Sequence, residues 1–204
     1  MDIGRSYTGK DCQSFIAIRR LDTCHLHATI EVEHRDVASA VIGHLLALAL
    51  SENQGMIIHA SAFSRGGRSF VFVGPSGSGK TTIVRNTTGR GYIHDDRVAI
   101  RRISGNWKVF GLPMCDNNKL PGANVSEQLD ELYFLVKGHQ LQKTKISGRS
   151  ALQLLGTQMI VPFDDHDLRL HAYRSLLDAI SQLDCYRLRF PRDCDVISFL
   201  SGEM

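Results

Sequence analysis

The sequence predicts an α/β fold, a mixed sheet with helices on its flanks. Three observations carry that prediction. Short β-type apolar runs alternate along the chain with segments at helical spacing. The pairs Gly66-Gly67 and Gly105-Asn106 sit between such runs, as tight hairpins require. The run Phe70-Val71-Phe72-Val73 passes straight into Gly74-Pro75-Ser76-Gly77-Ser78-Gly79-Lys80-Thr81-Thr82, a glycine-rich link between a strand and a helix-compatible segment.

Taken in order, Ser14 to Ile18 and His25 to Glu33 read as strands, the second placing Leu26, Ala28, Ile30 and Val32 on one face. Asp36 is placed to cap a helix running to about Ser51, with Val37, Val41, Leu45 and Leu48 at helical spacing. Met56 to Arg65 and Arg68 to Gly74 form the first hairpin. Lys80 to Arg90 is a short helix ended by Gly89 and Gly91. Tyr92 to Ile103 and Trp107 to Leu112 form the second hairpin, and a polar loop follows from Pro113 to about Ser126. Leu132 to Val136 and Leu141 to Ile146 are strands, Ser147 to Ile160 and Asp164 to Leu183 helices, and Tyr186 to Phe190 a late strand. No internal repeat or low-complexity linker divides the 204 residues, so the chain reads as one domain.

Composition narrows the function. With 24 basic and 21 acidic residues the net charge is +3, too mild to argue for a nucleic-acid partner. The longest apolar stretch, Val41 to Leu50, is too short to span a bilayer and contains His44, so no membrane partner is expected. The first ten residues lack the apolar core of a signal peptide. Cys12, Cys24, Cys115, Cys185 and Cys194 are scattered without a CxxC pair, which favours reduced thiols and a cytoplasmic location. His25-x-His27 offers two metal ligands, too few for a site.

The glycine-rich link reads G-x-x-x-x-G-K-T from Gly74 to Thr81, the pattern of a phosphate-binding loop. Its glycines let backbone N–H groups curl around an oligophosphate. Gly74, Pro75, Ser76, Gly77, Ser78, Gly79, Lys80, Thr81 and Thr82 are therefore the expected nucleotide-binding residues. Lys80 supplies a charge for the β- and γ-phosphates, and Thr81 a hydroxyl for Mg²⁺.

Two further residue sets converge on the loop. A two-residue Gly66-Gly67 turn pairs Arg65 with Arg68 and, carried along the ladder, sets His59 opposite Gly74. The helix from Lys80 rises about 15 Å away from the phosphates, at roughly 1.5 Å per residue. The strand from Gly91 returns about 13 Å, at roughly 3.3 Å per residue. Asp95 and Asp96 thus come back level with Lys80 and Thr81, where one carboxylate is able to meet Mg²⁺ and the other to act as a base. A Gly105-Asn106 turn would pair Ser104 with Trp107 and set Asp95 opposite Asp116, so Cys115 to Lys119 should emerge beside the acids. Arg187 and Arg189 share one strand face and read as either a surface pair or a source of a transition-state arginine.

His59-Ala60-Ser61, the loop and His94-Asp95-Asp96-Arg97-Val98 resemble, in order and spacing, the HPr kinase/phosphorylase group. That group is related through its phosphate loop to ATP-dependent phosphoenolpyruvate carboxykinase. The closer likeness is to small HPr-kinase-like proteins of bacterial peptide-modification clusters, including lasso-peptide kinases that phosphorylate a serine of a precursor peptide. Trp107-Lys-Val-Phe-Gly-Leu-Pro113 resembles a further element of these proteins, while His94 stands where serine is usual. The resemblance covers about Gly55 to Pro113.

It implies an HPr-kinase-type domain over 1–204, with N-terminal strands and a helix over 1–54, a nucleotide-binding core over 55–113 and C-terminal strands and helices over 114–204. It implies His59 as an active-site histidine, Asp95 as general base and Asp96 as the Mg²⁺-associated acid, with Lys80 beside them. The activity implied is an ATP- and Mg²⁺-dependent serine kinase acting on a peptide or protein. No match to the family's phosphorolysis signature is found, which speaks against reversal by inorganic phosphate. A kinase for a small hydroxyl compound such as free serine, and a non-catalytic ATP-binding module gating a partner complex, remain open, as does a homo-oligomeric state.

Overall fold

The computed structural model describes residues 2–9, 12–20, 26–31, 35–85, 91–113, 122–161, 166–192 and 194–202, and up to residue 41 it describes the backbone alone. The chain is mixed α/β. β1 (Asp2–Gly9), β2 (Cys12–Arg20) and β3 (Leu26–Glu31) form an antiparallel three-stranded sheet ahead of α1 (Arg35–Glu52). Asp36 falls inside the first turn of α1 rather than before it.

Two larger sheets follow. The first hairpin holds its expected register, from Arg65↔Arg68 to Ala60↔Val73. Its outer strand, however, is two strands. β4 (Gly55–Ile58) and β5 (Ala60–Arg65) are separated at His59 and belong to different sheets. β5 pairs with β6 (Arg68–Val73), which leads through the glycine-rich loop into α2 (Lys80–Arg85). Of the helix expected over Lys80 to Arg90, residues 86–90 lie outside the described ones. The expected strand from Tyr92 to Ile103 also breaks. β7 (Tyr92–His94) pairs with β5, and β8 (Val98–Ile103) pairs with β4.

The second hairpin turns one residue early. β8 and β9 (Asn106–Gly111) pair as Ile103↔Asn106 and Val98↔Gly111. The turn is Ser104-Gly105, with φ of 51° and 85°. Two positive φ values are what a two-residue hairpin of matching twist demands. The shift moves partners by two residues, so each side chain keeps its expected face. It removes the predicted pairing of Asp95 with Asp116, and the ladder ends at Val98, before the acids.

β10 (Ser126–Gln128), β11 (Glu131–Lys137), β12 (Gln142–Lys145), α3 (Gly148–Gly156), β13 (Met159–Ile160), α4 (His166–Gln182), β14 (Asp184–Phe190) and α5 (Val196–Ser201) complete the described chain. The helix expected over Ser147 to Ile160 stops at Gly156. Ser147 is its N-cap, accepting from Ser150 N, and Met159–Ile160 instead pair with β4. β1, β10 and α5 were not expected from the sequence.

The five-stranded sheet runs β10-β9-β8-β4-β13, and the six-stranded sheet β12-β14-β11-β6-β5-β7. β6, β11 and β14 are parallel, so their C-terminal ends share one edge with the glycine-rich loop. Val71, Val73, Leu132 and Phe134 on one face of the six-stranded sheet join Met56, Ile58, Val98 and Ile100 of the other sheet and Ala151, Leu155, Ala172 and Leu176 of α3 and α4. Phe70, Phe72, Leu135 and Leu188 on the opposite face pack with Ile83 and Val84 of α2 and Val196, Ile197 and Leu200 of α5. β6 is thus covered on both faces, as its near-continuous apolar run implies. Burying Phe70 and Phe72 completely is worth about 1.5–3 kcal/mol each. Ala47 of α1 covers Ile57, Ala99 and Leu112 behind the five-stranded sheet.

Gly91 leads into β7 with φ of +140°, and a Cβ there would lie 1.9 Å from the Ser64 carbonyl oxygen. Gly91→Ala should therefore lower stability by at least about 2 kcal/mol, through strain and collision together. Denaturant unfolding checks this as a lowered midpoint at unchanged slope. An unchanged midpoint would mean that Ser64 moves aside freely.

Candidate functional site

The candidate site forms where both broken strands cross from one sheet to the other. His59 lies between β4 and β5. Asp95, Asp96 and Arg97 lie between β7 and β8, which pair with those same strands. The crossings fall beside the loop because Ala60 pairs with Val73, the residue before Gly74.

The loop's backbone needs its glycines. Gly77 and Gly79 have φ of +75° and +102°, a region that side chains disfavour. A Cβ on Gly74 would sit 2.7 Å from Ser78 Oγ, and one on Gly79 2.9 Å from Cζ of Phe190. Lys80 opens α2 and turns back over the loop, its Nζ donating to the carbonyl oxygens of Gly74 at 2.6 Å and Pro75 at 3.0 Å. Lys80 and Ser78 are buried, and Ser78 Oγ has no hydrogen-bond partner. Pro75, Ser76, Gly77 and Thr82 are exposed, and Gly79 and Thr81 are half-buried.

The acids arrive where the helix-and-return geometry places them. Thr81 Oγ1 donates to the Asp95 carbonyl oxygen at 3.2 Å. Asp95 is 2% exposed and Asp96 6% exposed. The surroundings of the two carboxylates differ. The Tyr92 hydroxyl donates to Asp95 Oδ1 at 3.4 Å. Asp96 faces two basic groups, with His59 Nε2 at 3.4 Å from Oδ1 and Arg97 Nε at 3.3 Å from Oδ2. The His59 ring thus meets Asp96 rather than Asp95. Its other nitrogen lies 3.3 Å from Gln158 Oε1, and its backbone N–H donates to the Gln158 carbonyl at 2.8 Å.

Among solved structures, the Hpr(Ser) kinase/phosphatase from Coxiella burnetii is similar, with a TM-score of 0.38 at 12% identity over 72% of this chain and 86% of that one. No family model matches the chain, and no curated protein matches it significantly. At that score the structural likeness decides neither fold nor activity, so a functional reading rests on the loop and the acids.

Tyr92 and Gln158 are site neighbours that motif reasoning did not single out, and it gave His94 and Arg97 a place in the motif but no role. Gln158 in particular comes from the end of α3, 99 residues from His59. The flanks of the polar loop do return beside β7, as Gly122 N donates to Leu112 O and Ala123 N to Ile93 O. Cys115, Asp116 and Lys119 lie outside the described residues, as does His25. Arg187 and Arg189 are exposed on β14, the stem of Arg189 lying across Gly138.

The oxygen donors fit a hard cation shared with a bound phosphate better than a protein-only metal cage. A hydroxyl and one or two carboxylates stand by the loop, whereas no group of three or more histidine, cysteine or acidic side chains among the described residues is arranged to hold a metal ion by itself. Burial and Glu131 push the Tyr133 hydroxyl far up, at the opposite end of the sheet, where Glu131 also holds Lys143 at 3.0 Å and Arg68 at 3.4 Å. Burial lifts the Cys185 thiol to about 11, which leaves it inert. No described helix is long and apolar enough to cross a membrane.

Proposed function

We propose that the chain is an ATP- and Mg²⁺-dependent kinase that transfers the γ-phosphoryl group to a serine hydroxyl of a peptide or protein. The observation that carries this reading is the junction of loop and acids. A lysine folded over a glycine-rich cradle, a threonine and two buried aspartates meet at one sheet edge. Phosphoryl transfer is chiefly positioning and charge neutralisation, and these groups supply both.

In this reading Gly74 to Thr82 cradle the phosphates with backbone N–H groups, and Lys80 neutralises charge on the transferring group. Thr81 and Asp96 would hold Mg²⁺, which when bound neutralises phosphate charge. Asp95 orients the acceptor hydroxyl and takes its proton as the oxygen attacks phosphorus. His59 and Arg97 fix the Asp96 carboxylate from two sides, and Gln158 fixes His59. The acceptor enters over the polar loop that follows Pro113. The chain acts in the cytoplasm as a single domain over 1–204.

The direct test incubates the protein with Mg²⁺, ATP and candidate acceptor peptides and reads phosphoserine by mass spectrometry. A phosphorylated free amino acid in place of peptide would move the acceptor to the small-molecule class. ATP binding without transfer to any acceptor would leave a binding module. Within the loop, Lys119→Ala should raise the acceptor KM about fivefold, the scale of one exposed charge contact, with less effect on kcat. Unchanged acceptor kinetics after replacing Asp116 to Lys119 would assign the loop to a plain connection.

A further inference from the structure

We infer that His94 is a positioning residue that fixes the bend carrying both aspartates, acting as a hydrogen-bond acceptor through Nδ1. For its activity readout the inference rests on the kinase reading; for its structural readout it rests on geometry alone. His94 ends β7 and is 1% exposed. Its Nδ1 lies 3.1 Å from the backbone nitrogen of Asp96 and 3.2 Å from that of Arg97. Both partners are N–H donors, so the ring nitrogen between them must accept and the ring hydrogen sits on Nε2.

A side chain that accepts from the N–H groups two and three residues ahead is the device by which asparagine, aspartate and serine shape turns. Here it acts at the point where the chain leaves one sheet for the other. Asp95, Asp96 and Arg97 lie outside both strands, so the ladders of β7 and β8 do not set their direction. The His94 ring is itself held in place. A Cβ on Gly122 would lie 2.4 Å from His94 Cδ2, so the backbone at Gly122 approaches the imidazole closely. That segment is tied down by Gly122 N to Leu112 O at 2.8 Å and Ala123 N to Ile93 O at 2.9 Å. The consequence is a chain of constraint from the end of the acceptor-side loop, through one imidazole, to the backbone of the two acids.

Asparagine and glutamine variants separate this role from simple filling of space. Asn Oδ1 occupies the place of Nδ1, whereas Gln Oε1 reaches the place of Nε2. His94→Asn should keep kcat near wild type. His94→Gln, though closer in volume, should lose about tenfold or more in kcat with ATP affinity retained, as misplaced reacting groups do. Amide hydrogen exchange gives a readout free of activity. The Asp96 and Arg97 amides should be protected in wild type and His94→Asn and released in His94→Gln. Equal kcat and equal protection in the two variants would overturn the inference. Should the variants fail to fold, ¹⁵N shifts of the wild-type His94 ring decide, since hydrogen on Nδ1 would overturn it and hydrogen on Nε2 support it. A wild-type chain that transfers no phosphoryl group would sink the kinase reading, and the exchange and ring-shift results would still judge His94.

Discussion

Replacing Lys80 by alanine should weaken ATP binding by about 10- to 100-fold, the worth of hydrogen bonds from a charged donor. Phosphoryl transfer should fall further, by about 10²–10³ in kcat, because the same charge is aimed at the transferring group. The ammonium is buried and anchored by the Gly74 and Pro75 carbonyl oxygens. It is therefore set in place before a nucleotide arrives, and little ordering remains for binding to accomplish. Lys80→Met distinguishes charge from packing, since it keeps most of the apolar stem. Both variants should show the loss. Calorimetry returning wild-type ATP affinity for Lys80→Ala would remove the nucleotide-binding reading altogether. Recovery in Lys80→Met alone would assign the effect to packing.

How much of this was legible in the sequence depended on whether local chemistry or tertiary packing decided each feature. The first hairpin was legible because Gly66-Gly67 left one two-residue turn between two clear runs, and its register carried His59 to the loop. The second hairpin slipped because Ser104, a residue without special freedom, takes a φ of 51° and moves the turn off Gly105-Asn106. The strand breaks at His59 and at Asp95–Arg97 were hidden for a different reason. Apolar residues continue on both sides, and only the packing of two sheets against one shared core forces the crossings. The return of Asp95 to Thr81 agrees with the expected balance of a helix leading out and a strand leading back, of which residues 86–90 lie outside the described ones. The partner of His59 was not legible. It depends on the turn after α3, where Gln158 meets His59 from 99 residues away.

The largest loss should follow Asp95→Asn, which is expected to lower phosphoryl transfer by about two to four orders of magnitude, as for removal of a general base. Mg·ATP should still bind. Asparagine keeps the shape of the side chain, and the contact from Thr81 reaches the Asp95 backbone carbonyl, which the substitution leaves in place. Asp96→Asn should behave differently. It withdraws a charge that faces both His59 and Arg97, so those two basic groups lose the carboxylate between them. Metal dependence and turnover should then weaken together, and the Mg²⁺ concentration needed for half-maximal rate should rise. Both acids lie on the bend outside the strands, so their different contacts, rather than strand alternation, argue for divided roles. Asp96 stands between His59 and Arg97, and Asp95 beside the Tyr92 hydroxyl and the helix start. Metal titration of both variants decides the order. Loss of Mg²⁺ affinity in Asp95→Asn with retention in Asp96→Asn would exchange the two roles. Full transfer by both would end the kinase reading.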